Sequence, residues 1–311
     1  MGVDILEIII GMYVVLRGAD YLTDGAVSLA QRMHMPEMLI GLTVVAIGTS
    51  MPELFVSVTS AVQGTADIAV ANVVGSNTFN VLLIAGMSAA IAPMAIMKST
   101  VTRDVPVVTC ASALLLFCGL SGTIERWHGI VFLVLLVLYT LYAVRTASAD
   151  DSLDVAEKEY SLWVALARLV GGLVALVIGS NIFVNGATEV AAWLGVSDAV
   201  IGLTIVAGGT SLPELATSVV AAHKGQSAIA MGNVLGSCVY NILLIIGLTS
   251  VITPLTIEGL TWIDFAVMLS SVSLLWLFSF TKYEVERWEG FVMVALFAAY
   301  MAYTVCSAVS V

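Results

Sequence analysis

The sequence predicts an all-α integral membrane protein with ten transmembrane helices, arranged as two inverted five-helix repeats. An apolar composition, an internal repeat and the placement of Lys and Arg predict this fold. Of the 311 residues, 60% are hydrophobic and 11% are charged, and the mean hydropathy is +1.05. A soluble domain carries about 25% charged residues, so the composition indicates the membrane class. At about 20 residues per spanning helix, ten helices leave no room for a sizeable soluble domain.

The internal repeat relates the two halves of the chain. Residues 41–96 and 202–257 align without a gap, each residue with the one 161 positions later, and about half of the aligned positions are identical. GLTVVAIGTSMPEL matches GLTIVAGGTSLPEL, and NVVGSNTFNVLLIAG matches NVLGSCVYNILLIIG. The same offset relates the ERW triplets at 125–127 and 286–288. Such self-similarity indicates duplication of a whole half.

Each half contains five apolar segments, and an odd number of crossings makes the second copy enter the membrane from the opposite side. The predicted units are residues 1–146, a linker of 147–160, and residues 161–311. The segments span approximately 3–19, 37–62, 67–93, 104–122 and 127–146 in the first half, and 161–184, 197–222, 226–253, 261–280 and 287–308 in the second.

The basic residues indicate the orientation in the cell membrane. With ten helices, ten of the eleven Lys and Arg residues fall on one side and only Arg126 on the other. Because cytoplasmic loops are enriched in Lys and Arg, both termini are predicted to lie outside and the linker in the cytoplasm. The linker is acidic, which fits a solvated joint better than a regulatory cation site, because it is short and lacks an EF-hand pattern.

Several classes of function find no support in the sequence. The four cysteines lie in apolar runs without CxxC spacing, which is typical of small buried hydrophobes. There is no HExxH pair and no Ser/His set, so we expect no enzyme and no cofactor. The net charge of −11 lies largely in the linker and at helix ends and gives no indication of nucleic acid. Membrane lipid is the expected surrounding, and no obligatory protein partner is expected.

Two carboxylates occur at corresponding places inside apolar segments. Glu53 and Glu214 each follow a proline, in GTSMPE and GTSLPE. Ionisable residues inside membrane helices indicate a functional site. Proline has no N–H, so the carbonyl four residues earlier loses its helical partner, and a carbonyl freed at membrane depth must face a cavity or an ion. A Pro-Glu pair could also serve helix packing, but its occurrence in both halves favours a binding site.

Oxygen donors accompany both carboxylates. The spacing of Thr49 and Ser50 places their hydroxyls on the helix face of Glu53, and the next apolar segment supplies a second face. Carboxylate, amide, hydroxyl and carbonyl oxygens suit Ca²⁺ and Na⁺ and do not suit zinc or copper. The side-chain candidates are Thr49, Ser50, Glu53, Ser76 and Asn80 in the first half, and Thr210, Ser211, Glu214, Ser237 and Asn241 in the second.

The paired motifs GTSxPE and GNxxGSxxxN, present once in each half, resemble the alpha-repeats of the sodium/calcium exchanger family. The resemblance covers nearly the whole chain and implies electrogenic antiport by alternating access, with about three Na⁺ per Ca²⁺. It further implies that the second, third, seventh and eighth segments form the ion-binding core, past which the first and sixth slide. The ten residues given above would be the ligands, joined by the backbone carbonyls of Ala46 and Ala207.

The sequence departs from the family pattern at a few positions. Ala71 replaces the glycine of the first GN pair, and Cys238 stands where the first half has Asn77. Some relatives, including potassium-dependent exchangers, have an aspartate at the position of Asn241, so the sequence favours K⁺-independent exchange. A proton/calcium exchanger and a potassium-dependent exchanger remain the alternatives, and a cation channel is a weaker one.

Overall fold

The chain is helical almost throughout. The computed structural model describes residues 2–146, 160–196, 201, 204–205, 207–280 and 282–309. The helices are α1 (Gly2–Met33), α2 (Glu37–Thr49), α3 (Met51–Val62), α4 (Ala66–Ile91), α5 (Thr100–Gly119), α6 (Arg126–Thr146), α7 (Leu162–Trp193), α8 (Ala207–Thr210), α9 (Leu212–His223), α10 (Ser227–Ile252), α11 (Trp262–Ser279) and α12 (Arg287–Val309). The linker, apart from Tyr160, lies outside the described residues.

The membrane-spanning helices are recognisable by length and composition. In the described part of the chain, seven helices are long and apolar enough to cross a membrane, and α2 with α3 forms an eighth, bent span. The all-α membrane fold is therefore confirmed. The count of ten also includes α1 and the segment around α8 and α9, part of which is not described, so it stays a prediction. The seven are α4, α5, α6, α7, α10, α11 and α12.

Helices α1 and α7 extend well beyond the apolar segments predicted at 3–19 and 161–184, each reaching 32 residues. They pack antiparallel along their length through glycines. A Cβ atom at Gly18 would lie 2.9 Å from the Leu176 nitrogen, and one at Gly172 would lie 2.5 Å from the Leu22 nitrogen. Because glycine has no side chain, the two backbones can approach closely, as in other membrane helix pairs. Hydropathy alone could not predict the extra turns, because this partner stabilises them.

Contacts between the two halves occur in matched pairs. The Gly172–Leu22 contact has a counterpart 161 positions away, where a Cβ atom at Gly11 would lie 2.5 Å from the Phe183 nitrogen. Four two-residue strands follow the same relation. Strand β1 (Met94–Ala95) pairs antiparallel with β4 (Glu284–Val285), and β2 (Thr123–Ile124) pairs antiparallel with β3 (Leu255–Thr256). Each half therefore presents equivalent surfaces to the other.

An ion-pair cluster joins α1 to the end of α9. Lys224 contacts Asp24 at 2.7 Å and Asp20 at 2.5 Å, and Arg168 contacts Asp24 at 2.7 Å. Partial burial lowers the pKa of Lys224, but hydrogen bonds to the two carboxylates outweigh it and hold the pKa above its usual value. The positions of the other half that correspond to Asp20, Asp24 and Lys224 carry the neutral residues Asn181, Asn185 and Gln63, and the position that corresponds to Arg168 carries Glu7. The packing of the two halves is therefore matched, but their charges are not.

The α1–α7 contact gives a test with an internal control. Gly172→Ala adds a methyl group against the Leu22 backbone and should lower the free energy of unfolding by about 1–3 kcal/mol through overpacking. A methyl group at the adjacent Gly171 would meet no described atom within 4 Å, so Gly171→Ala should be neutral or slightly stabilising. Thermal unfolding of both variants in detergent measures the difference; equal stability would contradict the close α1–α7 packing.

Candidate cation site

Each carboxylate lies at a break in its helix. The chain bends by 45° between α2 and α3, at Ser50, whose backbone angles leave the helical range (φ −83°, ψ 8°). Ser211 has nearly the same angles between α8 and α9 (φ −90°, ψ 6°). Pro52 and Pro213 stand in the new first turns, where a missing N–H is tolerated. Glu53 and Glu214 are therefore in the first turns of α3 and α9, where the helix dipole favours negative charge.

The two carboxylates are held by serines of the opposite half. Glu53 and Glu214 are each 1% exposed. The Ser50 hydroxyl donates a hydrogen bond to Glu214 Oε1 at 2.8 Å, and the Ser211 hydroxyl donates one to Glu53 Oε1 at 2.9 Å. The spacing argument placed Ser50 beside Glu53 on a continuous helix. The break turns the hydroxyl across the interface, so neither half builds this arrangement alone.

The other predicted hydroxyls also come to the carboxylates. Ser237 Oγ lies 3.5 Å from Glu214 Oε1, and Ser76 Oγ lies 3.3 Å from the hydroxyl of Ser211. Thr210 is half-buried and interacts with Glu53. Thr49 donates across the halves to Asn233 Oδ1 at 3.1 Å. The structure therefore brings the predicted serines and threonines of both halves into one polar cluster.

Asn80 and Asn241 lie in the middle of α4 and α10, where each helix widens into a π-helical stretch, Phe79–Ala85 and Tyr240–Ile246. Such turns are frequent at functional sites. Both amides are almost fully buried. Four side-chain oxygens of this region have no hydrogen-bond partner within the described residues, although buried polar atoms normally do. They are Glu53 Oε2, Glu214 Oε2, Asn80 Oδ1 and Asn241 Oδ1.

The predicted backbone ligand at Ala46 differs from these four oxygens, because its carbonyl already accepts hydrogen bonds. The Ala46 carbonyl accepts the Ser50 N–H at 3.0 Å and the Thr49 hydroxyl at 3.4 Å. A cation at that oxygen would compete with these donors, since a carbonyl offers two lone pairs. Ala207 is the first residue of α8, at the corresponding place in the second half.

Sequence reasoning missed two asparagines that brace the helix breaks. Asn72 Nδ2 donates to the Glu53 carbonyl at 3.2 Å and to a neighbouring hydroxyl, Ser57 Oγ, at 3.0 Å. Asn233 Nδ2 donates to the Glu214 carbonyl at 3.3 Å. These amides fix α3 against α4 and α9 against α10. Their recurrence in the duplicated second motif was the available signal.

Comparison with known proteins shows what this arrangement is similar to. The family model described as sodium/calcium exchanger protein matches residues 4–145 and again 164–306. CaxA of Alkalimonas amylolytica is 36% identical over 313 residues, covering 96% of this chain and 98% of that protein. The sodium/calcium exchanger MaX1 of Methanosarcina acetivorans is 31% identical, with 96% and 97% covered.

A solved structure agrees with these sequence relatives. The sodium-calcium exchanger NCX_Mj, soaked with Na⁺ and Ca²⁺, superimposes with a TM-score of 0.85 at 30% identity, covering 96% of this chain and 98% of that one. Fold and relatives together define a multi-pass membrane ion antiporter. The chain belongs to the sodium/calcium exchanger family, which confirms the resemblance found in its motifs.

The bracing role of Asn233 predicts a stability effect that does not depend on ions. Asn233→Ala removes contacts with the Glu214 carbonyl, Ser218 and Thr49 and leaves buried partners unsatisfied, so unfolding should become easier by about 1–3 kcal/mol. Asn181→Ala is the control, because Asn181 is exposed and its side chain, among the described residues, donates to Val177 of its own helix. Its effect should stay within about 0.5 kcal/mol. Thermal unfolding without added Ca²⁺ measures both, and equal effects would contradict the brace.

Proposed function

We propose that this protein exchanges Na⁺ for Ca²⁺ by alternating access, at about three Na⁺ per Ca²⁺, through ten helices in two inverted repeats. The observation that carries the proposal is a set of four buried oxygens, on Glu53, Glu214, Asn80 and Asn241, that have no hydrogen-bond partner among the described residues. Bound cations would give these oxygens the partners that they lack. Family membership and the likeness to MaX1 and NCX_Mj support Na⁺ and Ca²⁺ as the transported ions.

In this proposal the ligands are the duplicated oxygen donors, joined by the carbonyls of Ala46 and Ala207. Glu53 and Glu214 supply two negative charges, which one Ca²⁺ balances and which several Na⁺ can balance using overlapping oxygens. Among the residues that the structure describes, no Lys or Arg forms an ion pair with either carboxylate. The neutralising charge is then left to the transported ions.

This charge balance gives a physical reason for coupled exchange. Two like carboxylates in an apolar interior repel each other and suffer a desolvation penalty of several kcal/mol each when no cation is bound. An empty site therefore resists occlusion, and the loaded core moves more easily past α1 and α7. Steady Ca²⁺ uniport into proteoliposomes without Na⁺ would argue against this coupling.

The proposed units are residues 1–146 and 161–311, joined by a cytoplasmic linker at 147–160, with both termini outside. Matched contacts between α1 and α7 support the inversion. The β1–β4 pair supports the sidedness, because it joins the loops that carry Lys98 and Lys282, and basic loops are typical of the cytoplasmic side.

The carboxylate pair gives the first functional test. Glu53→Gln or Glu214→Gln should reduce Ca²⁺ uptake into Na⁺-loaded proteoliposomes to background, because each amide removes half of the charge that balances Ca²⁺. Glu289→Gln is the matched control, since Glu289 is equally buried but caps the start of α12 by accepting the Glu286 N–H. It should retain uptake. Substituting a K⁺ or a pH gradient for Na⁺ tests the alternative counter-ions, and near-normal uptake in either glutamine variant would contradict the site.

Asn241 gives a test of potassium dependence. A neutral amide adds no charge for an accompanying K⁺, so Na⁺-driven Ca²⁺ uptake should not change when external K⁺ is titrated with the voltage clamped by another ion. Asn241→Asp adds a carboxylate beside Glu214 and should introduce either K⁺ dependence or, if burial favours its protonated form, a new pH dependence. A saturable K⁺ requirement in the native protein would show that this charge count is wrong.

A further inference from the structure

Asn77 and Cys238 occupy corresponding positions in the two halves and face each other across the interface. Asn77 is fully buried, and its Nδ2 donates to the Cys238 carbonyl at 3.3 Å. In the reverse direction the Cys238 thiol lies 4.0 Å from the Asn77 carbonyl. The backbones are therefore placed alike, while one half contributes an amide and the other a thiol.

The orientation of Asn77 determines that of Asn241. The Cys238 carbonyl can only accept a hydrogen bond, so Asn77 must turn its NH₂ group toward it and its oxygen the other way. That oxygen accepts from Asn241 Nδ2 at 3.0 Å. The two ends of an amide are similar in shape, and its hydrogen-bond partners decide which way it faces. The oxygen of Asn241 consequently faces away from Asn77, and it has no partner in the described chain.

The first half lacks an equivalent series of hydrogen bonds to orient its amide, Asn80. Cys238 interacts with Asn80, but a thiol is a weak partner that both donates and accepts. Neither amide atom of Asn80 makes a hydrogen bond of ordinary geometry within the described residues. The Cys238 contact therefore holds the amide of Asn80 only weakly, and no second partner in the described chain fixes which end of Asn80 faces the site.

We propose that Asn77 is a positioning residue that fixes the Asn241 oxygen toward the cation, and that Cys238 leaves Asn80 without the equivalent constraint. This inference rests on the proposed cation site and adds an asymmetry to it. One amide oxygen is oriented before the ion arrives, whereas the other must be selected when the ion binds. Preorganised ligands bind more tightly because less freedom is lost on binding.

The test exchanges the two residues and measures Ca²⁺ binding by titration calorimetry of the purified full-length protein in Na⁺-free detergent. Asn77→Cys releases Asn241 and should weaken Ca²⁺ binding by about tenfold, the equivalent of one oriented hydrogen bond. Cys238→Asn should strengthen binding several-fold, because the new amide can donate to the Asn77 carbonyl and hold Asn80. The double exchange should return the affinity close to the native value.

The outcomes separate a positioning role from a merely structural one. A structural role predicts that Asn77→Cys lowers the melting temperature without changing Ca²⁺ affinity, and that the second exchange rescues nothing; either result overturns the inference. Should Asn77→Cys fail to fold, Cys238→Asn still decides, because an unchanged affinity there also overturns it. If the native protein binds no Ca²⁺, the proposed function itself is contradicted. If the native protein binds Ca²⁺ and the variants bind it with the same affinity, only the role of Asn77 is contradicted.

Discussion

The burial of Glu53 and Glu214 in an apolar interior is the constraint on which the rest of the site depends. Removing a carboxylate from water is unfavourable by several kcal/mol unless hydrogen bonds or opposite charge compensate. The chain meets part of this demand by breaking two helices at serines, so that each carboxylate lies at a new helix N-terminus. One oxygen of each carboxylate is satisfied by a serine. The other oxygen has no hydrogen-bond partner among the described residues, and we propose that a cation binds there.

Reciprocity between the halves follows from the same constraint. The shortest hydrogen bond to each carboxylate comes from a serine of the opposite half, and Thr49 donates across the halves to Asn233. A single repeat would lack the serine that makes the short hydrogen bond to its carboxylate, so the complete site exists only when both copies are folded together. Close packing of α1 on α7 and the two strand pairs give the halves matched surfaces on which to assemble.

The two halves differ at a few positions, and these differences are informative because the surrounding contacts are matched. Asn77 faces Cys238, which orients one site amide and not the other. The cluster of Lys224 with Asp20 and Asp24 joins α1 to the end of α9, while the corresponding positions of the other half are neutral. Duplication supplied equal scaffolds, and later substitution made the two halves chemically unequal.

The sequence by itself determined the membrane class, the duplication, the family and the two carboxylates with their accompanying oxygen donors, because composition, repetition and residue chemistry can be read without knowing contacts. It also predicted that a backbone carbonyl near each Pro-Glu pair loses its helical partner, since proline has no N–H to donate. Only the tertiary structure decided that Ser50 donates its hydrogen bond to Glu214 and not to Glu53, and that α1 and α7 continue past their apolar segments. It also decided that the side chains of Asn72, Asn233 and Asn77 hold neighbouring groups in place. Each of these depends on where the chain bends and on which distant segment packs beside it, and spacing along a single helix carries no information about either.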